Sequence, residues 1–90
     1  MVTVTERAAE ELRGRLLAET SDPEVGFRLL PAADGTFVLI LGTKLSGDEV
    51  VEYQGSKVLL IGIEYTRAFE GLTVDCDDTP GGVTLFVRRQ

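Results

Sequence analysis

Within the stretch Leu72-Thr-Val-Asp-Cys-Asp-Asp-Thr-Pro-Gly-Gly-Val-Thr-Leu-Phe-Val87, four residues have side chains that can do chemistry: Asp75, Cys76, Asp77 and Asp78. Cys76 is the only cysteine, and the chain has no histidine. A thiolate among carboxylates can hold a metal ion, and paired carboxylates can divide acid and base roles between them. Zinc sites take three or four ligands drawn mainly from Cys and His, so one Cys without His falls short within a single chain. An iron–sulfur cluster normally needs four cysteine thiolates, which two copies together would not supply. A hard cation accepts carboxylates, which leaves Cys76, Asp75, Asp77 and Asp78 as weak metal candidates. The stretch lacks the spaced oxygen ligands and the glycine of a calcium loop.

On a strand, Asp75 and Asp77 would stand about 6.6 Å apart at the backbone, near the separation of carboxylate pairs in some hydrolases. Those pairs need a cleft that raises one pKa, and a terminal hairpin in a small domain offers little depth. Without histidine there is no serine–histidine arrangement. Gly42-Thr-Lys-Leu-Ser-Gly47 has glycines and a lysine but does not end in the Gly-Lys-Ser/Thr of a phosphate loop. No catalytic residue, no cofactor and no committed metal site is expected, and the chain is expected not to be an enzyme.

The elements around the candidates account for them more simply. Side chains alternate between the faces of a strand. Leu72, Val74 and Cys76 then fall on one face, and Thr73, Asp75 and Asp77 on the other. Asp78-Thr-Pro-Gly-Gly82 is expected to turn the chain, and Val83, Leu85 and Val87 continue the apolar face on the return strand. Cys76 thus reads as a small buried apolar residue, with the aspartates on the solvent side. Phe86 alternates with Leu85 and Val87, so it points outward as a candidate protein contact or packs under the N-terminal helix.

Upstream, Val2 and Val4 alternate with threonines as a short strand. Thr5 is a helix N-cap and Glu6 sits in the first turn. Ala8, Ala9, Leu12 and Leu16 recur at helical spacing, which predicts an amphipathic helix over 6–19, weakened by Gly14 and ended by Ser21-Asp-Pro23. Phe27–Leu30 and Thr36–Leu41 flank the loop Pro31–Gly35 as one hairpin. Leu45–Asp48 is a turn, and Val50–Tyr53 and Lys57–Ile61 flank Gln54-Gly-Ser56 as a second hairpin. Tyr65, Ala68 and Phe69 predict a short second helix over 63–70, stopped by Gly71.

Ninety residues are expected to form one domain over 1–90. The net charge of −6, with the basic residues scattered, argues against nucleic-acid binding and against anionic membranes. The opening Met1–Arg7 has no basic region followed by an apolar stretch, and no apolar run approaches the ~20 residues of a membrane span. A lone cysteine does not call for an oxidising compartment. A cytoplasmic location is expected.

In order, Val2–Leu12, Gly26-Phe-Arg-Leu29, Asp48–Leu60 and Phe69-Glu-Gly-Leu-Thr-Val-Asp-Cys76 resemble the first strand and capped helix, the Gly-x-Arg strand, the central hairpin and the Gly-x-x-Leu-Asp-aromatic signature of the HesB/IscA-like family of A-type iron–sulfur carriers. The resemblance implies an α+β, β-rich domain of antiparallel hairpins with an N-terminal helix, often assembled as a dimer or larger oligomer. The family attributes cluster binding to a cysteine after the Gly-x-Arg strand and to a Cys-Gly-Cys tail. Here Ala33 falls at the first position, the last residues read Val87-Arg-Arg-Gln90, and Cys76 falls where the family often has an aromatic residue. No ligand carries over, so the resemblance is to a degenerate member. The function expected is a non-catalytic protein-interaction or regulatory module. Its partners are protein, with iron–sulfur assembly machinery and a second copy of itself both open. The alternative is a metal or iron–sulfur carrier using Cys76 across an oligomer.

Overall fold

The hydroxyl of Thr5 accepts the Ala8 N–H at 3.2 Å and so starts α1, Glu6–Glu19, at the position the sequence marks for a cap. A computed structural model describes residues 1–89. Ala8, Ala9, Leu12 and Leu16 form the buried stripe of α1. The helix ends where the Thr20 N–H bonds the Leu16 carbonyl at 2.9 Å and the Thr20 side chain accepts from Asp22 N.

The strands are β1 (Thr3–Val4), β2 (Val25–Pro31), β3 (Phe37–Thr43), β4 (Glu49–Tyr53), β5 (Ser56–Ile61), β6 (Leu72–Thr79) and β7 (Gly82–Arg89). They form a three-stranded sheet in the order β1-β6-β7 and a four-stranded sheet in the order β3-β2-β5-β4. Each expected hairpin is present and antiparallel: β2 with β3, β4 with β5, and β6 with β7. The links between hairpins are parallel, β1 with β6 and β2 with β5. Gly26 allows the second link, since a Cβ there would lie 2.2 Å from the carbonyl oxygen of Lys57.

Leu12 and Leu16 of α1, Phe27 and Leu29 of β2, Leu59 and Ile61 of β5, and Leu72, Val74 and Cys76 of β6 share one buried cluster with Phe69. No helix among the described residues is long and apolar enough to cross a membrane.

The short second helix expected over 63–70 does not form; that segment is a run of turns. Its bonds mix spacings: Tyr65 N to Gly62 O, Phe69 N to Tyr65 O and Glu70 N to Arg67 O. Thr66 donates its hydroxyl to the Ile63 carbonyl at 3.1 Å, so a side chain takes an acceptor that a helix would have used. Tyr65 and Phe69 still stack, at 5.4 Å between ring centroids, which is the helical spacing that suggested a helix. Gly71, at φ +82°, ends the run as expected.

Candidate functional site

The β6–β7 hairpin places the four candidates of the opening stretch in register. Cys76 is opposite Leu85, Asp75 opposite Phe86, Asp77 opposite Thr84 and Asp78 opposite Val83. The strand continues one residue past Asp78, and the reversal tightens to Thr79–Gly82, where the Thr79 hydroxyl donates to the Gly82 carbonyl at 2.7 Å. Asp78 therefore belongs to the strand rather than to the turn the sequence suggested.

Alternation holds for Cys76. Its side chain joins Leu72 and Val74 in the core and is 8% exposed. Burial pushes the thiol pKa up, because removing the group from water penalises the thiolate. Alternation fails for Thr73, which was expected to face solvent but is 2% exposed, on the central strand between Thr3 and Arg88.

Asp75 has three partners. One carboxylate oxygen accepts the Cys76 N–H at 2.8 Å and the Thr5 hydroxyl at 2.9 Å. The other faces Arg88 at 3.2 Å. The backbone N–H of Cys76, then the Thr5 hydroxyl, hold the carboxyl below the usual carboxylate range. The residue that caps α1 thus also binds the middle of β6. Asp78 pairs with Arg7 of the helix. Asp77 is exposed and makes no side-chain hydrogen bond or ion pair among the described residues. The structure therefore brings the four together in sequence but not as ligands. Cys76 points inward, Asp75 and Asp78 are tied to α1, and Asp77 faces water. No group of three His, Cys, Asp or Glu able to hold a metal lies together among the described residues.

Two features went unread in the sequence. The first is a cleft of about 380 Å³ lined by Gly35, Thr36, Phe37, Leu85, Phe86 and Val87, where the rims of the two sheets meet. Phe86 lies on the outward face by its register with Asp75, and it is half-buried at this cleft. Ala33 is an exposed residue of the adjacent β2–β3 loop. The second feature is the pair Arg28–Asp48 on the outer side of the four-stranded sheet. Arg28 reaches both carboxylate oxygens, at 3.2 and 2.6 Å, and the two side chains are 11% and 2% exposed. An arginine inside the apolar β2 sequence was the available signal of a half-buried charge, though not of its partner.

The chain matches no protein-family model, and no curated protein matches it closely enough to count as a relative. Solved structures do match. Escherichia coli SufA, involved in the biosynthesis of iron–sulfur clusters, superposes with a TM-score of 0.76 at 23% identity, over 98% of this chain and 84% of that one. IscA with a [2Fe-2S] cluster gives 0.65 at 24% identity, over 99% and 82%. A protein from Aquifex aeolicus, solved by NMR, gives 0.62 at 23% identity, over 99% and 91%. This chain has the HesB/IscA-like fold, with Cys76 as its only cysteine.

Proposed function

We propose, from a HesB/IscA-like fold whose one thiol is buried, that this chain is a single-domain, non-catalytic protein-interaction module. It works in the cytoplasm beside iron–sulfur cluster biogenesis without ligating a cluster itself. The observation that carries this reading is the position of Cys76. A cluster ligand must reach iron as a thiolate, whereas this thiol lies in the core and is held protonated by burial. An alanine stands at the loop position where the family has a cysteine. One buried thiol among carboxylates does not fit a cluster. The interaction surface in this reading is the Phe37–Phe86 cleft, where aromatic side chains line an opening between two sheets. Fold alone does not set the partner, so the link to iron–sulfur biogenesis rests on the likeness to SufA and IscA.

The test has two arms. Anaerobic reconstitution with iron and sulfide, followed by desalting, should leave no cluster absorbance, and Cys76→Ala should behave like the parent chain. A cluster retained by the parent and lost in Cys76→Ala would establish a carrier working through Cys76 across copies. Affinity capture with the tagged chain from its native source should recover iron–sulfur assembly proteins or cluster-requiring apoproteins, and Phe86→Ala should reduce that recovery. Recovery of unrelated partners alone would detach the fold from that pathway.

A further inference from the structure

We infer that the Asp34–Gly35 peptide, in the exposed loop at the rim of the Phe37–Phe86 cleft, is a site of covalent β-aspartyl rearrangement, and that the Thr36 side chain sets its rate in the folded chain.

An aspartyl peptide rearranges when the nitrogen of the next residue attacks the side-chain carboxyl, and a side chain on that next residue hinders the attack. Only Asp34 precedes a glycine, and the chain has no asparagine. Asp22 precedes Pro23, whose nitrogen has no proton to lose. Asp48 is buried against Arg28, and Asp75, Asp77 and Asp78 are held on β6. Ala33, Asp34, Gly35 and Thr36 are all exposed, so water reaches the bond.

The chemistry needs nothing but water. The Gly35 nitrogen bonds to the carboxyl carbon of Asp34. The amide proton and the carboxyl hydroxyl depart together as water, leaving a cyclic imide. A water molecule then opens the imide at one of its two carbonyls. Opening at the side-chain carbonyl restores aspartate. Opening at the main-chain carbonyl leaves the chain running through the side chain, as isoaspartate. That product carries one extra methylene in its backbone and a free carboxylate on its Cα.

The folded loop withholds both reactants. The Gly35 N–H donates to the Ala32 carbonyl at 3.2 Å, so the proton that must leave is engaged. The electrophile is held on the other side. Asp34 Oδ1 accepts the Thr36 N–H at 3.1 Å and the Thr36 hydroxyl at 2.6 Å. Those two bonds, the hydroxyl's first, favour the charged carboxyl and keep it below the usual carboxylate range. A carboxylate resists attack by nitrogen, whereas the neutral acid accepts it. Thr36 thus acts through Asp34, by keeping the reactive form scarce.

Position gives the rearrangement a consequence. Ala32 N donates to Thr36 O at 2.8 Å, and this bond closes the loop from which β3 starts. An extra methylene between those residues lengthens the closed ring and shifts Thr36 and Phe37. Both line the cleft. One slow reaction in a surface loop therefore alters the opening between the two sheets.

The experiment is prolonged incubation of the folded full chain at neutral pH, followed by trypsin. Isoaspartate is read as methyl transfer from S-adenosylmethionine by an isoaspartyl methyltransferase. The peptide to follow is Leu29–Lys44, in which Asp34 is the only aspartate. The same peptide free in solution should rearrange several-fold faster than the folded chain. Thr36→Val keeps the branched shape and the backbone N–H but loses the hydroxyl, and should rearrange several-fold faster than the parent. Thr36→Ser restores the hydroxyl and should return to the parent's rate. If Thr36→Val disturbs the fold by circular dichroism, Thr36→Ser decides: the parent's rate supports the hydroxyl's role, and a raised rate refutes it. Asp34→Glu should abolish the signal. Equal rates in the free peptide and the folded chain, or in Thr36→Val and the parent, would overturn the proposal. So would isoaspartate that accumulates first in another peptide or survives Asp34→Glu.

Discussion

The two sheets distribute polarity in opposite ways. In the three-stranded sheet, Cys76 and Val74 turn inward while Asp75, Asp77 and Arg88 lie at or near the solvent face, as alternation along a half-buried strand requires. In the four-stranded sheet, the outer face buries the ion pair Arg28–Asp48 and Leu60 while leaving Val38 and Ile40 open to water. Apart from the buried Thr73 on the central strand, a residue's type therefore predicts its environment in the first sheet, whereas it misleads on the outer face of the second. Ionic groups lie at the rim in one sheet, where water screens them, and under neighbouring chain in the other, where each depends on its partner. Substitutions should separate the two regimes.

The largest effect is expected at Arg28. Arg28→Ala removes both bonds to Asp48 and a third to the Thr43 carbonyl at 3.1 Å. Among the described residues, the Asp48 carboxylate then remains buried with only the Leu45 N–H donating to it, at 2.7 Å. Leaving a buried charge without its counter-ion costs about 3 kcal/mol or more, read as a lower urea midpoint with an unchanged denaturant slope. The Arg28 hydrogen bond holds the Asp48 carboxyl below its usual range. The pair's contribution is thus present above the unfolded carboxylate value near 3.9 and is lost as pH falls through the folded one. Arg28→Ala should flatten that acid limb. If Arg28→Ala costs no more than a rim pair such as Arg88–Asp75, the contrast between the sheets is wrong.

A smaller loss is expected at Cys76. Cys76→Ser places a hydroxyl in the apolar cluster and should lower the melting temperature by about 5 °C, and Cys76→Ala by less. The raised thiol pKa gives an alkaline counterpart to the Asp48 effect. Its contribution is complete below the unfolded thiol value near 8.5 and is lost as pH rises through the folded value. Cys76→Ala should remove that alkaline loss. Thiol labelling of the native chain should be slow and should follow global unfolding. Rapid labelling would place Cys76 outside the core and reopen the carrier reading.

What could be read from the sequence follows the same division. The helix was legible because Thr5, Glu6 and the Ala8, Leu12, Leu16 spacing are local signals that agree. The hairpins and the inward Cys76 were legible from alternation. The order of strands was not, because β1 meets β6 and β2 meets β5 across long stretches of chain. Arg28 and Asp48 lie twenty residues apart, and nothing local marks them as partners. The segment 63–70 misled because Tyr65 and Phe69 keep helical spacing while Thr66 draws the Ile63 carbonyl away from the backbone. At the candidate site, the side of the strand was legible for each residue but not its partner. Thr5 and Asp75 are seventy residues apart.

That last distinction gives the finest test, between two aspartates two positions apart on one strand face. Composition and alternation make Asp75 and Asp77 equivalent, but the fold does not. Asp75 accepts from Thr5 and Cys76 and faces Arg88, so it ties the start of α1 to β6. Asp77 stands opposite Thr84 in water with no side-chain partner among the described residues. Asp75→Asn removes the charge from this arrangement and should lower the melting temperature by about 2–4 °C, while Asp77→Asn should change it by about 1 °C or less. Because its partners depress the Asp75 carboxyl, the difference should hold above the ordinary carboxylate value and shrink as pH falls through the folded one. A metal site would require both carboxylates, and then both variants would lose the same metal-dependent increase in melting temperature. If only Asp75→Asn matters, and with no response to added divalent cation, the acidic stretch beside Cys76 serves to fasten the helix to the sheet.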